Sequence, residues 1–448
     1  MSSVYPGLSW LAAAVPAHAR RFRVHSVPFA RTLELAGAEL VETEPEVEIA
    51  PAGGIRGDAE VGIVSLGGPL PESQSRTGRA ARRAEHSLQL RRQVAAARRV
   101  LERRGYSQTE VFRWSLAREL RLPKQTGSRF GALADRVPTY AAAVGYRDGP
   151  VRTVLDAVLS DAAGRVSDSL LGAPSVREGP LVIVGGDVVV RVAVGGAAQL
   201  LDRQRSVLTR LREARDPGLD PALLPWPIAS GSSGIAHWSC EQRLPGTVPP
   251  SALTPSLLAD CLDFLVSLHN SGAPGGEPSS TIGDAETLAD TCGRAQGEAA
   301  HALARRVETE LAALPRGFAH GDFFRGNLLV RADRLVGVVD WDAAGPGRLP
   351  LLDLIHLRCL AQHVSADSDW GPAIVGHLLP WARGNGDEIA QAYARRTGIE
   401  LTARMLETLV IAYWLERVGY QLRNFASRIE RPVWLERNVR FVLNAFAG

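Results

Sequence analysis

Asp322 and Asn327 stand five residues apart in the segment HGDFFRGNLLVRADRLVGVVDWD, which occupies 320–342. A carboxylate at the first position can orient and deprotonate an attacking hydroxyl. An amide oxygen at the second, together with the carboxylate of Asp340, can hold magnesium. The residues between them explain how the three groups could meet. A tight loop over 320–327 runs into an apolar strand pair, and the pair ends at Asp340. The loop and the later carboxylate therefore sit at the beginning and end of one hairpin. An orienting carboxylate beside two magnesium ligands is the equipment that phosphoryl transfer needs.

HGDxxxxN followed by an apolar run and DWD resembles the aminoglycoside phosphotransferase family, whose fold is protein-kinase-like. The resemblance covers residues 168–448. It implies a Mg2+-dependent phosphotransferase that uses ATP or GTP, with Asp322 as catalytic base and Asn327 and Asp340 as metal ligands. It also implies that His320 braces the loop through hydrogen bonds rather than moving a proton. Trp341 takes the place of the phenylalanine in the kinase DFG motif, Asp342 is a supporting carboxylate, and Asp353 in LPLLDLIHL matches a later family aspartate that anchors the helical lobe.

The nucleotide side departs from the family pattern. Kinase-like enzymes place a strand lysine on the ATP phosphates and pair it with a helix glutamate. Here VVVRVAV puts Arg191 at the lysine position, and LDRQRSVLTRL puts Gln204 at the glutamate position. Arginine stays cationic and can grip phosphate with two hydrogen bonds. Glutamine can hydrogen-bond a guanidinium without neutralising it, so this pattern leaves the cation without a charged partner. Gly185-Gly186 reads as a hairpin turn, and no glycine-rich nucleotide loop is evident.

These residues need a scaffold, and the chain divides into three regions. Residues 1–167 alternate short apolar runs (23–27, 47–50, 61–66) with a helical stretch at 30–36 and turn signals, which predicts a small α/β unit with a partly parallel sheet. That region includes a strongly basic helix over 79–104, with Leu88, Val94, Ala97 and Leu101 at helical spacing. Residues 168–246 read as a kinase-like N-lobe: a hairpin at 181–194, a helix at 197–213 and a last strand at 238–242. Residues 247–448 read as a mainly helical C-lobe, with a loop over 273–284. The overall expectation is an α+β, bilobal protein-kinase-like fold preceded by a small α/β domain of unknown function.

Composition narrows the alternatives. A net charge of +3 over 448 residues gives no general polyanion-binding role. Lys124 is the only lysine, so any site that ordinarily uses lysine must here use arginine. Cys240, Cys261, Cys292 and Cys359 are scattered without metal-ligand spacing and read as apolar residues of a reducing compartment. The apolar run at 8–19 has no basic stretch before it, and no run is long enough for a membrane span. The expected location is the cytoplasm. The basic helix reads either as a solvated face or as a dock for an anionic partner; with few aromatics among its arginines, nucleic-acid binding is not favoured. Arg417, Arg423, Arg428, Arg431, Arg437 and Arg440 crowd the C-terminal part and favour a neutral or anionic acceptor over a polycation. The expected activity is phosphorylation of a hydroxyl on a small molecule, sugar or natural product. The alternative is a kinase-like binding or modification component with weakened nucleotide chemistry, holding a peptide, glycan or biosynthetic intermediate.

Overall fold

The computed structural model describes all residues except 1–5, 26–29, 31–32, 52–53, 68–75, 115–139, 150, 167–174, 177–179, 215–217, 251–252, 272–280, 362–369, 425–431 and 448. The fold is α+β, and the chain forms two compact units: residues 2–202 with 227–243, and residues 203–226 with 244–448. The boundary expected at 167–168 lies outside the described residues, as do Arg428 and Arg431.

The first unit contains two sheets. Strands β1 (Arg21–Val24), β2 (Glu39–Leu40), β3 (Val47–Ala50) and β4 (Val61–Gly67) pair in parallel in the order β2-β1-β3-β4. All four residues of β3 are buried, as a parallel strand covered on both faces requires. Helix α1 (Arg76–Arg103) follows. Then β5 (Gln108–Trp114) and β6 (Tyr140–Tyr146) complete the sheet with antiparallel pairing. On α1, Leu90, Val94, Ala97 and Leu101 are buried and Leu88 is 52% exposed. Among the described side chains, the apolar stripe therefore includes Leu90 rather than Leu88. Helix α2 (Val154–Ala163) begins with a capping box in which Thr153 and Asp156 satisfy each other's backbone N–H groups.

The second sheet is antiparallel, in the order β10-β11-β9-β8-β7. Its strands are β7 (Ser175–Val176), β8 (Leu181–Val184), β9 (Val188–Val194), β10 (Pro227–Ser233) and β11 (Ala236–Gln242), with helix α3 (Ala198–Glu213) following β9. The β8–β9 turn falls on Gly185, Gly186 and Asp187, closed by Gly185 N–H donating to Val188 O at 2.7 Å. Both sheets feed one hydrophobic core, which joins Trp10, Phe22, Ile63 and Val144 to Val190, Val192 and Trp238.

The second unit is mainly helical: α4 (Pro255–Asn270), α5 (Thr281–Cys292), α6 (Arg294–Glu310), α7 (Leu352–Ala361), α8 (Glu388–Arg396) and α9 (Ala403–Asn424). The loop expected over 273–284 is shorter, because residues 281–284 already open α5; its remainder, 273–280, lies outside the described residues. Short strands β12 (Gly317–Ala319) and β15 (Gly345–Arg348) pair with each other, and β13 (Leu328–Arg331) pairs with β14 (Arg334–Val338). Leu406, Leu409, Ile411, Trp414 and Val418 are fully buried, so α9 is apolar around most of its circumference and forms the pillar of the unit. Among the described residues, no helix is long and apolar enough to cross a membrane.

Candidate active site

The β13–β14 hairpin and the loop before it build the site. Leu328 pairs with Val338, so Asn327 enters and Asp340 leaves at the same end of the hairpin. Val339 N–H donates to Asn327 O at 2.9 Å, which fixes that end. Asp340 has φ = 72°, a left-handed backbone unusual for a residue other than glycine and a form of strain that collects at functional sites.

His320 is fully buried and packs against Trp341 of the DWD motif, with ring centroids 4.6 Å apart. Its Nε2 meets Val339 O at 3.1 Å, and its Nδ1 accepts from Asp322 N–H at 3.3 Å. A carbonyl can only accept and an amide can only donate, so the ring is neutral with its proton on Nε2. Burial lowers its pKa further below the usual imidazole value. Asp353, on α7, accepts from the backbone N–H groups of His320 at 2.7 Å and Gly321 at 2.8 Å. It therefore holds the loop itself, a narrower task than anchoring the lobe.

Asp322 is the centre of the arrangement. Its Oδ1 lies 3.0 Å from His356 Nε2 and accepts from Arg417 Nη1 at 3.2 Å. Its Oδ2 accepts from Asn327 Nδ2 at 3.1 Å. The same amide nitrogen donates to Asp322 O at 2.9 Å, so the Asn327 amide oxygen is the end turned away from Asp322. Burial opposes the charged form of Asp322. The His356 hydrogen bond and the positive charge of Arg417 outweigh it, holding the carboxyl well below the usual carboxylate range. Burial, followed by the charge of Arg417, pushes the pKa of His356 down. Arg417 also donates to Gly321 O and lies 3.4 Å from Glu416, which in turn pairs with Arg348 at 2.8 Å.

Asp342 is partly exposed. It lies close enough to Arg203 to favour that guanidinium's charge, against the larger effect of burial. Among the described residues, no group of three or more His, Cys, Asp or Glu side chains converges to hold a metal. A magnesium ion carried on nucleotide phosphates needs no such cage: one or two protein oxygens suffice. The residues at this end of the hairpin that could supply such oxygens are Asn327 and Asp340.

On the nucleotide side, the expected unpaired cation is corrected. Arg191 is buried on β9, with Nε and Nη2 both 3.2 Å from Glu241 Oε1 on neighbouring β11. The strands are adjacent in register, Arg191 opposite Ser239, so the sheet itself supplies the carboxylate. Gln204 is buried on α3.

Three of the arginines of the C-terminal part have carboxylate partners. Arg417 serves Asp322 and Glu416, Arg423 donates to Asp284 at 2.6 Å, and Arg440 pairs with Glu436 on its own helix. The residues that sequence reasoning missed are His356, Arg417 as a partner of Asp322, Tyr413 and Glu241. Only His356 left a signal: it follows Asp353 by three residues and so shares its helix face.

The model of the phosphotransferase enzyme family matches residues 180–407. The chain belongs to this family. The stretch before residue 180 has no match there. Among solved structures, aminoglycoside phosphotransferase APH(3'')-Id from Streptomyces rimosus is 18% identical, over 59% of this chain and 98% of its own, with a TM-score of 0.42. A thermostable mutant of aminoglycoside phosphotransferase APH(4)-Ia, in a ternary complex with ADP and hygromycin B, is 16% identical over 66% of this chain and 100% of its own, also with a TM-score of 0.42. A search of curated proteins found no match.

Proposed function

We propose that this family member transfers the γ-phosphoryl group of ATP or GTP to a hydroxyl on a small molecule, sugar or natural product. The observation that carries the reading is the arrangement of Asp322 and Asn327 in one loop, with Asp340 at the same end of the following hairpin. The acceptor oxygen attacks phosphorus, the bond from phosphorus to the β-phosphate oxygen breaks, and the nucleoside diphosphate leaves with the electron pair. The hydroxyl proton passes to Asp322 and on to solvent. With its carboxyl so acidic, Asp322 acts first by orienting the hydroxyl, which suits a loose transition state. Magnesium would neutralise charge on the phosphates, and Asn327 and Asp340 are the residues that would hold it.

Arg191 and Gln204 are assigned to the nucleotide, and Asp342 supports the metal-binding carboxylate. The alternative of a binding component with weakened chemistry rested on Arg191 and Gln204 together and on the lack of a glycine-rich loop. Glu241 answers only the first of these, by giving Arg191 a charged partner. We assign a neutral or anionic hydroxyl compound as the acceptor, rather than a polycation. We place the reaction in the cytoplasm.

A titration of ATP against the whole chain, with magnesium and with a chelator, tests the metal assignment. Asp340→Ala should abolish magnesium-dependent binding, and Asn327→Ala should weaken it less. Magnesium-dependent binding at native strength in Asp340→Ala would remove the DWD motif from the metal site.

A further inference from the structure

We infer that His356 and Arg417 are positioning residues for Asp322, fixing its carboxylate so that one acceptor position, on Oδ2, is left for the hydroxyl. This rests on the reading of Asp322 as the group that orients the acceptor. An ionised carboxylate offers about four lone-pair positions. His356 and Arg417 use both positions on Oδ1, and Asn327 uses one on Oδ2. The side chain of Asp322 is 33% exposed, while those of His356 and Arg417 are 2% and 7% exposed. The Asp322 side chain is thus partly accessible, while His356 and Arg417 lie in the protein interior.

The hydrogen-bond directions around His356 follow from charge. Arg417 keeps its proton and holds Asp322 in the form that only accepts. His356 must then carry its hydrogen on Nε2, which leaves Nδ1 as an acceptor. The Tyr413 hydroxyl lies 2.9 Å from Nδ1 and is the donor. The result is a directed relay, Tyr413 to His356 to Asp322. Stacking of His356 on Trp370, at 5.7 Å and 14°, fixes the plane of the ring. Arg417 adds a second constraint, since one guanidinium holds both the Asp322 carboxylate and the carbonyl of Gly321 next to it. The carboxylate and its backbone therefore move together or not at all.

The reporter reaction is MgATP hydrolysis by the whole chain, in which water replaces the acceptor. His356→Ala should lower kcat by about 10- to 100-fold, the usual effect of letting a reacting group drift by about 1 Å, with KM for MgATP unchanged. His356→Gln keeps an N–H donor and should recover most of the loss. Tyr413→Phe removes one hydroxyl at the far end of the relay and should give a smaller loss of kcat, again with KM unchanged. In an Asp322→Asn background, His356→Ala should have no further effect, because residues acting as a unit are not additive. The same loss in both backgrounds would show a merely structural histidine and overturn the proposal. So would native kcat in both His356→Ala and Tyr413→Phe. A native chain that does not turn over MgATP would overturn the phosphotransfer reading, and this proposal with it.

Discussion

Two single residues carry predictions because their environments leave no slack. Gly321 has φ = 79°, and a Cβ there would lie 2.4 Å from Ala343 O. Gly321→Ala should cost on the order of 1–3 kcal/mol in stability and displace Asp322 beside it. Urea unfolding measures the first effect; a variant as stable as the native chain would contradict the strain. Asp284 is buried on α5, and its pKa is pushed up to about 6, by burial above all and against the charge of Arg423. The folded value lies above the unfolded value of 3.8, so the folded form takes up the extra proton. Its contribution is most favourable below about pH 4 and declines as pH rises through about 6. Asp284→Asn should remove that decline, so the melting temperature of the variant relative to native should climb between about pH 4 and pH 7. A flat difference would place the group elsewhere on the pH scale. At this scale the loop was legible, since HGDxxxxN and DWD are local patterns. Arg417 was not, because its link to Asp322 spans 95 positions and leaves no spacing to read, and His356 left only its spacing from Asp353, with nothing to tie it to Asp322 34 positions away.

Elements decide how charges are matched. The helix glutamate expected opposite Arg191 is a glutamine, and the matching carboxylate comes from strand β11 instead. Sequence could not reveal this, because Glu241 reaches Arg191 only through the β9–β11 register. Side-chain exposures of 5% and 8% make this a buried pair. Removing one partner should therefore cost more than removing both. Glu241→Gln should destabilise by about 3–5 kcal/mol, whereas Arg191→Met with Glu241→Leu should be close to neutral. Denaturant midpoints compare the two, and a double variant less stable than the single one would show that the pair stabilises the sheet outright. A more exposed match joins α6 and α9, where Arg404 and Thr408 hold Glu310 down to about 2 despite the opposing effect of burial. That contribution is present above the ordinary glutamate value and is lost as pH falls through about 2.

For the whole molecule, the region without a family match is bound into the first unit rather than appended to it. Trp10 and Phe22 lie in one core with Val190 and Trp238. The alternation of apolar runs was enough to anticipate a partly parallel sheet. It could not show that this sheet and the antiparallel one share a core, because core sharing depends on faces that a single sequence does not pair. The basic face of α1 is exposed at Arg91, Arg92, Arg98 and Arg99, and we propose it as the contact for an anionic partner. Changing these four to glutamate should leave the melting temperature nearly unchanged, since surface changes usually cost within about 0.5 kcal/mol each. It should also abolish salt-sensitive retention of the native chain on heparin. Equal retention of both proteins would return the helix to a solvated surface.

The central claim is that Asp322 orients a hydroxyl for attack on a nucleotide phosphoryl group. Its most direct test is phosphate transfer from MgATP to a pool of hydroxylated small molecules, by the native chain and by Asp322→Asn. The native chain should form a phosphorylated product, and the variant should do so about 10²–10⁴-fold more slowly while binding MgATP as before. Equal rates from the two proteins, or no transfer by the native chain, would contradict the account.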